Sequence, residues 1–182
     1  MTPTKLISDY YKEQCILLHN QETEWGHRSS NDKDAQSHVN SLIHMWHQWG
    51  KGTILDYGCG KGWRAKLTSI PMNEYDPAIP GKDTSPEPAD FVICAEVLEH
   101  IEPEYLDAVL ADLQRVVLRR GYFTVTCRAT WTNLPDGRNA HLIIEDSDWW
   151  LKKLLEYFHI EYWQAANKKV TILVKKLHNG TY

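Results

Sequence analysis

The stretch from Thr53 to Trp63, read Thr-Ile-Leu-Asp-Tyr-Gly-Cys-Gly-Lys-Gly-Trp, constrains this chain more than any other. A short apolar run ends in an acid, Asp56, and then meets glycines at alternate positions, Gly58, Gly60 and Gly62. Apolar residues bounded by turn residues predict a buried parallel strand, and the glycines predict a tight strand-to-helix turn. Glycine suits such a turn because it accepts backbone angles that a Cβ forbids and lets a ligand approach the main chain. An acid at the strand end suits a ligand that carries a positive charge or free hydroxyls.

Two nucleotide-type loops fail against this spacing. A dinucleotide fingerprint needs its third glycine where Trp63 stands, and a phosphate loop needs Ser or Thr after its Gly-Lys, where Gly62 stands. The Asp-x-Gly-x-Gly-x-Gly order instead resembles motif I of class I S-adenosylmethionine (SAM) methyltransferases. The resemblance implies a loop that wraps the methionine and ribose of SAM.

The rest of the chain follows the order that this resemblance implies. Asp32 to Trp49 is an amphipathic helix, with Ala35, Val39, Leu42, Ile43, Trp46 and Trp49 at three- and four-residue spacing and glycines after it. His38, His44 and His47 on it have no shared partner and read as surface or edge residues. A short strand, Met72 to Asp76, ends in a second acid, placed to accept hydrogen bonds from ribose hydroxyls. Pro77 to Pro88 is too rich in proline for a central strand, so the third strand of the family should be reduced or missing. Phe91 to Ala95 is a buried strand, and a helix with Leu106, Val109, Leu110, Leu113, Val116 and Val117 on one face follows. Arg119, Arg120 and Gly121 are expected to close that helix. Tyr122 to Thr126 is a further strand, Asp146 or Ser147 caps a last helix, and Ile160 to Lys176 folds as a hairpin. The expected fold is α/β, a Rossmann-like, doubly wound and mostly parallel sheet with an antiparallel C-terminal hairpin strand.

The acceptor side of the cleft falls in Glu96-Val97-Leu98-Glu99-His100 and in Arg138-Asn139-Ala140-His141. Positions i, i+3 and i+4 share one side of a helical turn, which suits metal ligation. The Glu-x-x-Glu-His segment is similar to that of ubiquinone-pathway O-methyltransferases. With the later histidine, the set resembles the metal-binding residues of small-RNA 3′-end 2′-O-methyltransferases. That resemblance implies Glu96, Glu99, His100 and His141 as ligands of Mg²⁺, Mn²⁺ or Zn²⁺. The alternative leaves His100 or His141 as a general base, or as a packing or loop residue. Arg138 is either a binder of an anionic acceptor group or half of a structural salt bridge. Nearly the whole chain resembles short bacterial and phage SAM-dependent methyltransferases, through Leu55 to Gly62, Tyr75 to Ala78, Val97 to Ile101 and Leu134 to His141. The cofactor residues so implied are Asp56, Gly58, Cys59, Gly60, Asp76 and Glu96.

At 182 residues the chain is expected to be one compact domain: residues 1–50 give N-terminal helices and a loop, and 51–182 the SAM-binding core. The polar segment Gln21 to Asp34 is either a surface connection or a lid over the site. A net charge of −4 disfavours a dedicated nucleic-acid binder and leaves a small-molecule acceptor as the expected partner. Four cysteines without Cys-x-x-Cys spacing, and no membrane-length apolar run, fit a reduced, cytoplasmic protein. Eight tryptophans leave self-association open. The functional expectation is O-methylation of a small polar acceptor. RNA-end 2′-O-methylation and SAM binding without transfer stand as alternatives.

Overall fold

A computed structural model describes residues 5–20, 33–68 and 70–177. Most of the loop read as a possible lid lies outside these residues. Helix α1 spans Asp9–Asn20 and α2 Lys33–Gln48; β1 is Ile54–Tyr57, α3 Trp63–Leu67, β2 Asn73–Tyr75 and β3 Ala89–Ala95. Two short 3₁₀ turns, Leu98–His100 and Pro103–Tyr105, lead into α4, Leu106–Val116. Then come β4, Val117–Thr126, α5, Ser147–Leu155, and the hairpin of β5, Phe158–Ala166, and β6, Lys169–Lys176.

The strands form one sheet in the order β2-β1-β3-β4-β6-β5. The first four run parallel, and β6 pairs antiparallel with both β4 and β5. Strand β2 is an edge. No strand lies beyond it among the described residues, as the proline-rich segment after Asp76 predicted. Every residue of β1 is buried, which follows from helices covering both faces of the sheet. On one face α4 and α5 supply Leu106, Val109, Leu110, Leu113, Trp150 and Leu154 to the main core. On the other, Leu42, Ile43, Trp46 and Trp49 of α2 pack on Ile54, Phe91 and Ile93. The Asp146 carboxylate accepts the Trp149 N–H at 2.8 Å, capping α5 as expected.

One boundary differs from the sequence reading. Arg119, Arg120 and Gly121 do not end α4; they lie inside β4, where Arg120 pairs with Phe91 and Gly121 with Val92. Helix α4 has already given way to extended backbone at Val117. Gly121 is small for packing reasons, since a Cβ there would meet Phe123 at 2.7 Å and Val174 at 2.8 Å. Arg119 does serve a helix end, but that of α2. It donates to the Trp49 carbonyl at 2.8 Å and to that of Lys51 at 3.3 Å, lying over the Phe91 ring.

Candidate active site

The parallel strands all point their carboxyl ends toward one side of the sheet, and a cleft of about 790 Å³ opens there. Its floor is the glycine loop. The Gly58 and Cys59 N–H groups donate to the Tyr75 carbonyl at 2.7 and 3.0 Å, which ties the loop to the end of β2. Gly58 has φ +75°, and a Cβ there would run into the Val97 side chain. Asp76, at the end of β2, accepts the Gly60 N–H at 2.9 Å on Oδ2 and the Ala78 N–H at 2.9 Å on Oδ1. Its carboxylate lines the cleft, with lone pairs left over for a ligand. Gly58, Cys59, Gly60, Asp76 and Glu96, five of the six residues expected to hold the cofactor, all line the cleft.

Asp56 does not. It is fully buried beneath the loop, where Arg64 Nη1 lies 3.2 Å from Oδ1 and 3.4 Å from Oδ2. Burial pushes the carboxyl pKa up, and the Arg64 charge pulls against it. Arg64 also donates from Nη2 to the Ala95 carbonyl at 3.0 Å and stacks on Trp63, 4.6 Å from the ring centre. Asp56 therefore ties β1, α3 and β3 together through Arg64, and of the two acids only Asp76 lines the cleft.

The acceptor side assembles three of the four residues proposed as ligands. One donor atom from each of Glu99, His100 and His141 lies within 4.8 Å of the others. His100 Nδ1 is 2.7 Å from the Ala140 carbonyl, and His141 Nδ1 is 2.5 Å from the Arg128 carbonyl. A carbonyl only accepts, so each Nδ1 carries the proton and each Nε2 keeps a lone pair. The rings meet edge to face, with centres 4.7 Å apart. Glu99 is 0% exposed; its Oε1 accepts the Thr126 N–H at 2.8 Å, while Oε2 has no hydrogen-bond partner among the described residues. Burial pushes the Glu99 carboxyl up to about 8, with the Glu96 charge adding to it. Burial and the adjacent His141 push His100 down to about 4.

Glu96 is not in this group. The turn begins only at Leu98, and Glu96 stands before it with a left-handed backbone, φ +60°. Its carboxylate is paired instead with Lys169 of β6. The helical spacing that joined Glu96 to Glu99 and His100 breaks at that residue. Arg138 also takes its structural role, paired with Asp136 at 2.7 Å over the rings of Tyr10 and Tyr11.

Other cleft residues were not foreseen. Leu6, Ile7, Tyr11, Cys15 and His19 bring α1 and its approach against the cleft. The Tyr11 hydroxyl donates to the His100 carbonyl at 2.6 Å, and Ser8 donates its hydroxyl and N–H to Glu102 at 2.6 and 2.8 Å. His38 of α2, read as a surface or edge residue, is half-buried and lines the cleft between Trp63 and Tyr122, with ring centres 5.9 and 5.6 Å away. The apolar residues of α1 were visible in sequence, but nothing in their spacing showed what they cover.

No family model and no curated protein matches the chain. Solved structures do. The 1,6-didemethyltoxoflavin-N1-methyltransferase of Burkholderia thailandensis, with bound 1,6-didemethyltoxoflavin and S-adenosylhomocysteine, superposes with TM-score 0.64 at 16% identity, over 95% of this chain and 92% of that one. The N-methyltransferase NodS of Bradyrhizobium japonicum, also with S-adenosylhomocysteine, gives 0.60 at 13% identity over 92% and 99%. Magnesium protoporphyrin IX methyltransferase of Synechocystis gives 0.55 at 15% identity over 92% and 94%. The chain has a methyltransferase fold. Among the described residues, no helix is long and apolar enough to cross a membrane.

Proposed function

We propose that this protein transfers a methyl group from SAM to an oxygen of a small hydroxylated acceptor. The observation that carries the reading is one cleft with two unlike ends. The glycine loop and Asp76 form one, and His100 and His141, with the buried Glu99 within 4.8 Å of them, form the other. Asp76 is suited to the ribose hydroxyls, and the glycine loop to the methionine part. SAM bound this way directs its sulfonium methyl toward the second end. The acceptor oxygen attacks in line as its bond to the methyl carbon forms and the carbon–sulfur bond breaks. S-adenosylhomocysteine leaves with the electron pair on sulfur, and the hydroxyl proton passes to an imidazole Nε2 and then to solvent. His100 is uncharged at neutral pH because burial and His141 hold its pKa down to about 4. The main contribution of the protein is alignment and exclusion of water.

The same three residues fit a divalent cation. Both imidazoles are oriented by Nδ1–H bonds to carbonyls, as metal-bound histidines usually are, and Glu99 Oε2 is buried without a hydrogen-bond partner among the described residues. Two imidazoles with one carboxylate suit Mn²⁺ or Zn²⁺ better than Mg²⁺. A bound ion would act as a Lewis acid and lower the pKa of an acceptor hydroxyl.

Methyl-labelled SAM incubated with catechol, ribonucleosides, amines and carboxylates tests the reading. Label on the hydroxylated acceptors, lost in His141→Ala, is expected. Label on amines or carboxylates alone would refute it.

A further inference from the structure

A second cavity of about 440 Å³ opens between the end of β4 and the β5–β6 hairpin. Its walls include Glu96, Thr126, Arg128, Gln164, Asn167 and Lys169. Glu96 and Lys169 also line the main cleft, so the two spaces share a wall. The residues forming that wall hold each other by an ion pair. Arg128 differs: its backbone carbonyl is fixed by the His141 Nδ1–H at 2.5 Å, while its exposed guanidinium makes no hydrogen bond or ion pair among the described residues. The cavity therefore holds an anchored, open cation and a second cation covered by one carboxylate. Gln164 and Asn167 add amide donors beside them.

We propose that this hairpin cavity anchors the acceptor by an oxyanion, a carboxylate or a phosphate, held between Arg128 and Lys169. The Glu96 carboxylate occupies Lys169 until the acceptor displaces it. The inference rests on the methyl-transfer reading, because it gives the cavity an acceptor to hold. Guanidinium forks match the two oxygens of such groups, and a cavity of this volume suits a small molecule. The placement also fits the chemistry. Thr126 donates its N–H to Glu99, and Arg128 accepts from His141, so an anion anchored here leaves the rest of its molecule beside the reacting end of the cleft. Glu96 is held in a left-handed conformation unusual for a residue with a Cβ, of the kind that clusters at ligand-binding sites.

Amide NMR spectra of the full chain, at constant ionic strength and with or without S-adenosylhomocysteine, provide the test. Inorganic phosphate, benzoate and neutral benzyl alcohol serve as probes. Phosphate or benzoate should shift the amides of residues 164–171 saturably, and benzyl alcohol should not. Arg128→Ala and Lys169→Ala should each weaken the oxyanion by about tenfold, the scale of one charge-assisted hydrogen bond. Glu96→Gln should tighten it, because the competing carboxylate is gone. A response to phosphate alone or to benzoate alone identifies which oxyanion the acceptor carries. No saturable shift, equal affinity in Arg128→Ala, or weaker binding in Glu96→Gln overturns the proposal. The spectra report folding of each variant directly. Cofactor binding is read in the same samples, so its failure would count against methyl transfer and leave the anion result standing.

Discussion

Replacing Arg64 with Met removes one guanidinium and exposes the cost of burying Asp56. The wild-type pair is almost dry, with Arg64 5% and Asp56 0% exposed. Met keeps most of the volume but loses both contacts to Asp56 and the 3.0 Å bond to Ala95. Breaking a buried ion pair from one side leaves the other charge uncompensated, which typically costs about 3–5 kcal/mol. With a urea m-value of roughly 2 kcal/mol/M for a domain of this size, the midpoint should fall by roughly 1.5–2.5 M. The loss must also depend on pH in a known direction. The folded-state pKa of Asp56 is raised by burial, and losing Arg64 raises it further. The Arg64→Met deficit is therefore largest above that folded pKa and shrinks as pH falls toward the unfolded value of about 3.9. Replacing both partners, as Asp56→Asn with Arg64→Met, should recover a large part of the loss, because no unpaired charge remains. Urea titrations between pH 4.5 and 8 measure all three variants. A deficit below about 1 kcal/mol that does not change with pH would refute a charged, structural Asp56–Arg64 pair.

Two further outcomes follow from the same geometry. Glu99 is protonated more readily in the folded chain, with a pKa of about 8, than in the unfolded one. In metal-free protein Glu99 takes away stability as pH rises from about 4 to 8, while His100 offsets that loss up to about pH 6.5. Glu99→Gln should therefore remove the fall seen above about pH 6.5 in thermal melts and abolish Mn²⁺ binding in calorimetry. Gly58→Ala places a methyl group against Val97 at φ +75°, so it should cost about 1–2 kcal/mol from backbone strain alone. A Val97→Ala second change should return part of any additional loss, as read by melting temperature.

Much of the frame was legible because its signals are local. The alternate glycines, the acid at the end of each of the first two strands and the prolines after Asp76 pointed to the loop, the cleft side and a sheet that, among the described residues, stops at β2. The nearness of Glu99 and His100 was legible because they adjoin in sequence, and that of His141 was expected only from a resemblance. The errors arose where a residue's partner is distant or its backbone unusual. Asp56 looked like a ligand residue because nothing in a linear reading pairs it with Arg64. Arg-Arg-Gly after a helix imitates a C-terminal cap, yet sheet pairing with β3 draws it into β4. A left-handed Glu96 breaks a spacing that would otherwise have put it with Glu99. The approach of α1 to the cleft rests on contacts such as Tyr11 with His100, 89 residues apart in the sequence.

Calorimetric titration of the protein with S-adenosylhomocysteine, beside an Asp76→Ala variant of equal thermal stability, tests the central claim most directly. The account predicts one-to-one binding to the wild type and a loss of at least about tenfold in affinity in the variant, the scale of a bidentate carboxylate's hydrogen bonds. No binding to the wild type, or equal binding to both proteins, would contradict it.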